Sequence, residues 1–245
     1  EDNNSRQTGL EVELSSWADL QASAISFSSE ATAGGKASVT WTVSNQGEAR
    51  ASSWKDRIYL FPQPEWAENA IQLADLDQFQ SLEPGSSVTQ TTQVDLRTNL
   101  SGSYYLYVKT DIDSTVYEHT DEDNNIGRSE MLEINPYPPV DLEVSGLVGP
   151  GTGSSGQPVH LEWAVANIGE ARTLTSSWGD AIYLSVDAEL QITEDTLLET
   201  VGRREGLDAG EGYERNQEID LPNGIEGEYY VIVKNDFSDF NTENN

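Results

Sequence analysis

The sequence predicts an all-β chain made of two tandem β-sandwiches joined by a short proline-rich linker. Three observations carry this. Asn-Asn pairs end at Asn4, Asn125 and Asn245, spaced by 121 and 120 residues. Short runs alternate apolar and polar residues with the period of a half-buried strand. No long segment combines a helical period with helix caps. A period of this length decides the architecture before any local assignment.

Taken in order, residues 1–16 read as the tail of a preceding repeat, residues 17–134 as the first copy, 135–139 as the linker and 140–245 as the second copy. "ADLQAS" from Ala18 matches "VDLEVS" from Val140. Next, Val39, Trp41 and Val43 alternate with Ser38, Thr40, Thr42 and Ser44, as Val159, Leu161, Trp163 and Val165 do with His160 and Glu162. Trp41 and Trp163 are 122 residues apart, and each is expected to be a buried core pin. The strands end in Asn45-Gln-Gly and Asn167-Ile-Gly, turn residues that tolerate positive φ. Trp54, Asp56 and Tyr59 then match Trp178, Asp180 and Tyr183 at an offset of 124. Asp56 and Asp180 fall on the inward phase, where an unpaired carboxylate is costly. Backbone N–H partners at a bulge are expected to satisfy them.

"EPGSS" at Glu83, "AGEG" at Ala209 and "LPNG" at Leu221 are further turns. "SGSYYLYVKTD" from Ser101 then matches "EGEYYVIVKND" from Glu226. The first copy continues to Met131–Ile134, expected as its last strand, and the second copy stops without one. The linker Asn-Pro-Tyr-Pro-Pro is short and stiffened by proline. Leu10, Val12 and Leu14 share one face of an extended segment that has no module of its own. That strand is expected to complete the second copy of another chain, head to tail; the other reading is loose packing against the first copy.

Tyr104 and Tyr229 sit two residues before the inward Leu106 and Val231, the placing of a tyrosine corner at the start of strand F. The sandwiches are therefore read as immunoglobulin-like. Leu106 and Val231 stand where antibody domains carry a cysteine, with Trp41 and Trp163 at the partner position. A buried indole contributes a few kcal/mol, comparable to the disulfide it replaces. With the Trp-Asn-Gly strand, the "SW.D..YL" strand, the Gly-x-Tyr-Tyr strand and the acidic Glu-x-Asn-Asn ending all in order, the chain resembles the CARDB family, the cell adhesion related domain found in bacteria. The resemblance covers nearly the whole chain, twice. It implies tandem immunoglobulin-like modules of large secreted or surface proteins, hence an extracellular location, with neighbouring repeats as partners.

Composition sets limits. At 245 residues and 36% hydrophobic, the chain is long and apolar enough to bury cores. There is no cysteine, so neither a disulfide nor a thiolate metal site is available. The net charge of −30, from 43 acidic and 13 basic residues, excludes a basic nucleic-acid surface and disfavours anionic membranes. No apolar run approaches a membrane span.

Catalytic constellations are absent from the pattern. The two histidines, His119 and His160, belong to no nucleophile or metal-ligand spacing. The best chemical candidate is the acidic loop after the Gly-x-Tyr-Tyr strand. Asp111, Asp113, Asp121, Asp123 and Asn124 in copy one, with Asp236, Asp239 and Glu243 in copy two, offer oxygens of the kind calcium takes. Calcium (Ca2+) is the cofactor this set implies, placed at a junction between repeats, where it would stiffen the array. The competing reading is a solvated loop whose asparagines make Asx turns. Asp187, Glu189, Glu194 and Asp195 form a second set that copy one lacks. Tyr59, Tyr105 and Tyr107 fall on the phase opposite the core and suggest either strand packing or a carbohydrate-stacking face. The function expected is a non-catalytic structural or adhesion module; the alternative is a carbohydrate- or protein-binding accessory domain of a secreted enzyme.

Overall fold

In the computed structural model, which describes residues 5–28 and 30–235, every regular element is a strand. The chain divides into two units, Glu1–Tyr137 and Pro138–Asn245. The first holds β1 (Leu20–Phe27), β2 (Ala31–Thr32), β3 (Lys36–Asn45), β4 (Ala51–Phe61), β5 (Ile71–Leu82), β6 (Ser87–Asp95), β7 (Gly102–Lys109), β8 (Ile126–Arg128) and β9 (Leu132–Asn135). The second holds β10 (Leu142–Val148), β11 (Pro158–Asn167), β12 (Trp178–Ser185), β13 (Thr196–Arg203), β14 (Gly212–Asp220) and β15 (Tyr230–Asn235).

In the first unit one sheet runs β1-β3-β6, and the other runs β2-β9-β7-β4-β5 with β8 also on β7. The inward residues of β3 alternate as the sequence requires: Val39, Trp41 and Val43 are fully buried. They face Ile58 and Leu60 of β4 and Leu106 and Val108 of β7, all fully buried. Two sheets each apolar on one face have no other stable arrangement than to close on each other. The second unit repeats the pairing with β10-β11-β14 and β13-β12-β15, burying Leu142, Leu161, Trp163 and Ile182.

Two features were not foreseen. Ile126–Arg128 forms its own short strand on β7, and Ala31–Thr32 pairs parallel with β9. The last strand of the first unit begins at Leu132, with Met131 exposed beside it. Residues 5–16 carry no strand, and Leu10, Val12 and Leu14 are 85%, 79% and 62% exposed. A single extended segment without a ladder partner has no hydrogen bonds to hold it as a strand.

The edge strand of each first sheet carries an irregularity at the same place, between Ser23 and Ser26 in β1 and between Ser145 and Val148 in β10. Gly146 takes the left-handed conformation there (φ 62°), and Ala24 takes it in the first unit (φ 48°). Asn45 and Asn167 end their strands as the sequence reading has it, but neither takes the positive φ that such turn residues tolerate. Instead they work through their side chains. Asn45 Nδ2 donates to Ala49 O (2.8 Å) and Leu82 O (2.9 Å), while its Oδ1 accepts from Asp19 N and Gly47 N, both at 3.1 Å. Asn167 repeats this with Ala171 O, Leu207 O, Asp141 N and Gly169 N. A fully satisfied buried amide thus fastens the strand end to the chain that enters each unit.

Candidate functional site

The polar groups able to do chemistry fall in two kinds of place. One is the middle of each sandwich, the other the acidic loop between β7 and β8.

In the first sandwich Asp56 is fully buried. Its Oδ2 accepts from Trp41 Nε1 (2.9 Å) and Gln78 Nε2 (3.2 Å), and its Oδ1 from Trp54 Nε1 (3.0 Å). Gln90 Nε2 supports Gln78 Oε1 at 2.9 Å. Burial pushes the carboxyl above its ordinary range, and these donors pull it back. In the second sandwich Asp180 accepts from Trp163 Nε1 (3.2 Å), Tyr213 Oη (2.7 Å), Asn235 Nδ2 (2.8 Å) and Arg215 Nε (3.4 Å). Trp178 Nε1 reaches it indirectly, donating to Tyr213 Oη at 3.2 Å. Burial, with the Tyr213 proton engaged on Asp180, pushes the phenol well above its ordinary range.

The expectation of backbone N–H partners for Asp56 and Asp180 is therefore corrected. Both side chains point into the space between sheets, and the ladder already uses the backbone N–H groups around them. Only long side chains can reach that space. Gln90 lies directly across from Trp41, and Arg215 directly across from Trp163, so one position supplies an amide in one unit and a cation in the other.

The acidic loop is organised around two buried carboxylates. Asp111, at φ 43°, accepts from Thr115 N (3.0 Å), Thr115 Oγ1 (2.9 Å) and Val116 N (2.9 Å), which closes the first turn. Glu118 is fully buried; its Oε1 accepts from Leu20 N at 2.7 Å and its Oε2 from Asn125 Nδ2 at 2.6 Å. Desolvation raises its pKa to about 7, against the Asn125 and Leu20 hydrogen bonds. Leu20 opens the edge strand β1, so the loop straps that edge. Around it Trp17 stacks on His119 (4.6 Å between centroids) and donates to Asp121 Oδ2 at 3.0 Å. Asn124 Nδ2 donates to Asp19 Oδ1 at 3.1 Å.

The calcium candidates are thus dispersed. Asp111 faces inward onto its own turn, Asp113 pairs with Lys55 Nζ at 2.7 Å, Asp121 holds the Trp17 indole and Asp123 is exposed. Asp236, Asp239 and Glu243 lie outside the described residues. Among the described residues no three His, Asp or Glu groups converge as a metal site. In the second set, Asp187 Oδ1 accepts from Glu189 N (2.9 Å) and Asp195 Oδ2 from Gln191 N (2.7 Å), so both cap turns. Sequence reasoning missed Trp17, Asp19 and Glu118 as organisers of the loop. The contacts by which they tie the loop to the start of the unit span about a hundred positions, and only the repeated Asn pair hinted at them.

Of the two readings of the tyrosine face, the described contacts are those of packing. Tyr107 is buried, because Trp66 folds from the β4–β5 connection over Tyr59 (4.8 Å) and Tyr107 (5.4 Å). Tyr107 Oη donates to Gln63 O at 2.9 Å. Arg128 covers Tyr105 at 5.1 Å and donates to Pro64 O at 2.5 Å.

Residues 17–128 match the CARDB family model. Among solved structures, a Pyrococcus furiosus CARDB domain in complex with di-metal ions is 20% identical, with a TM-score of 0.39, covering 51% of this chain and 99% of its own. A solution structure of a P. furiosus CARDB domain is 21% identical, with a TM-score of 0.37, covering 49% of this chain and 96% of its own. Red sea bream transglutaminase is 9% identical over 90% of this chain and 29% of its own, with a TM-score of 0.28. No curated protein matches the chain.

Proposed function

We propose, on the premise that residues 17–128 are a CARDB domain, that this chain is a non-catalytic structural and adhesion module of a larger extracellular protein. One observation carries the reading: the use made of the buried carboxylates. Asp56, Asp111, Glu118 and Asp180 are all buried, and each accepts hydrogen bonds from groups that build the fold. A general acid or base must present its oxygen to a substrate in a cleft. These four present theirs to indoles, amides, hydroxyls and backbone N–H groups. The test is display of the chain on a non-adherent bacterial surface. Cell–cell or cell–matrix attachment above the empty-surface control is the expected result; attachment equal to that control overturns the adhesion reading.

A carbohydrate-binding accessory role has less support, because Trp66 and Arg128 already cover the rings of Tyr59, Tyr107 and Tyr105. A glycan array is expected to be blank. Hits abolished by Tyr105→Ala would reverse the preference. Calcium stiffening at the first loop would require Asp111, Asp113 and Asp121 to give up protein donors. Melts of the first unit in about 1 mM calcium, where extracellular sites fill, and in chelator are therefore expected to coincide. A rise of several degrees with calcium would show that the loop exchanges those donors for an ion.

A further inference from the structure

The turn between β6 and β7 carries a side chain that the fold does not account for. Leu100 N donates to Arg97 O (3.3 Å) to close the turn, and Leu100 is buried, so it anchors the turn in the core. Asn99 and Ser101, on either side of it, are both exposed. An asparagine in a turn ordinarily makes a local hydrogen bond or takes the left-handed conformation. Asn99 does neither: its φ is not positive, and among the described residues its amide has no partner. The Ser101 hydroxyl has none either. In the same unit Asn45, Asn124 and Asn125 all hold partners.

The second unit makes the matching turn without an amide at that position. "DLRTNLSG" from Asp95 aligns without a gap with "DLPNGIEG" from Asp220, which sets Gly224 against Asn99. Gly224 takes the left-handed conformation (φ 80°), and its N–H donates to Ser155 Oγ at 2.6 Å. What the first unit has instead is Asn99-Leu100-Ser101, an asparagine followed two residues on by a hydroxyl, with no proline between. That is the acceptor pattern for N-linked sugars on surface loops of secreted proteins. Three residues alone are a weak signal; here the pattern coincides with a turn whose buried Leu100 leaves both polar side chains outward and unengaged. We infer that Asn99 is the attachment site of an N-linked glycan. The inference rests on the extracellular reading above, because this transfer occurs on the secretory route. Asn99 Nδ2 attacks C1 of a sugar carried on a lipid pyrophosphate. The C1–O bond breaks, the C1–N bond forms, the lipid pyrophosphate leaves and the amide releases one proton. The glycan then stands at the end of the unit where the chain leaves for the linker: a Cβ on Gly34 would lie 3.2 Å from Thr98 Cγ2 and 2.5 Å from Tyr137 Cε2.

The test is secretion of the full chain, behind an added signal peptide, from a cell whose oligosaccharyl transferase accepts Asn-x-Ser. An Asn3→Gln background removes Asn3-Asn-Ser5, the other such tripeptide. A C-terminal tag with an accepted Asn-x-Thr confirms that each chain meets the transferase. Because secretion is imposed, the outcome bears on the site and not on the extracellular reading. Peptide mapping by mass is expected to find a glycan on Asn99 that peptide N-glycosidase releases. Asn99→Gln and Ser101→Ala should each abolish it, and Ser101→Thr should keep it. Asn99→Gln should melt with the unglycosylated parent, since the side chain it replaces holds nothing. A glycosylated tag beside an unmodified Asn99, or a glycan on Asn99 that persists in Ser101→Ala, overturns the inference. A melt several degrees lower for Asn99→Gln does so too, by showing that the fold uses the side chain.

Discussion

Burial of the Glu118 carboxyl between Leu20 N and Asn125 Nδ2 favours its neutral form, moving its pKa from 4.5 to about 7. The folded chain then holds a proton that the unfolded chain releases between those values. Its contribution to stability is full below about pH 4.5 and is lost as pH rises through 7. The first unit is expected to melt lower at pH 7.5 than at pH 5.5. Glu118→Gln should flatten that difference. Asn125 Oδ1 is buried without a partner, so its amide can turn to accept from a glutamine. An unchanged pH dependence in Glu118→Gln would remove this residue from the account. Ala24 supplies a second residue-scale prediction. It is exposed and left-handed where the second unit uses Gly146. Relief of a conformation that costs an L-residue roughly 1–2 kcal/mol outweighs the entropy a glycine adds to the unfolded chain. Ala24→Gly should raise the first unit's stability by up to about 1 kcal/mol, read from denaturant midpoints.

The strand end at Asn45 shows how a local motif becomes an element-scale device. The amide needs a tight approach of the incoming chain, and Gly47 permits it: a Cβ there would lie 2.5 Å from Trp17 O. In the second unit a Cβ on Gly169 would lie 2.6 Å from Pro139 O. Backbone cannot yield as a flexible side chain can, so Gly47→Ala and Gly169→Ala should each destabilise their own unit by about 1–3 kcal/mol. Midpoints within error of the parent would contradict the close approach. At this scale much was legible beforehand. The period-two pattern placed β3, β4, β7, β11 and β12 with their inward residues, because a strand's faces are written in consecutive positions. The partners of Asp56 were not legible, since Trp41, Gln78 and Trp54 meet it only once two sheets close. The same holds for Glu118 and Leu20, and for the cover that Trp66 lays over Tyr107. Candidate calcium ligands were read from composition, and composition does not say which oxygens already have donors.

At the scale of the whole molecule, two sandwiches divide the chain, each closed around an indole–carboxylate pair. Deleting either indole leaves a cavity and a buried carboxylate short of a donor. Trp41→Ala and Trp163→Ala should each cost on the order of 3–5 kcal/mol, and each should lower the melting of its own unit. The net charge of −30 opposes compaction throughout, so the parent's melting should rise from low salt to about physiological ionic strength, where charges more than ~8 Å apart are screened. The central claim is that the carboxylates inside the sandwiches hold the fold together by binding indole N–H groups. Hydrogen exchange of the indole Nε1–H protons, followed by NMR, tests it most directly. The account predicts that the Trp41 and Trp163 protons exchange only when their units unfold, and that Asp56→Ala accelerates the first without touching the second. Exchange of either proton within minutes in the intact protein, or a Trp41 rate indifferent to Asp56→Ala, would contradict it.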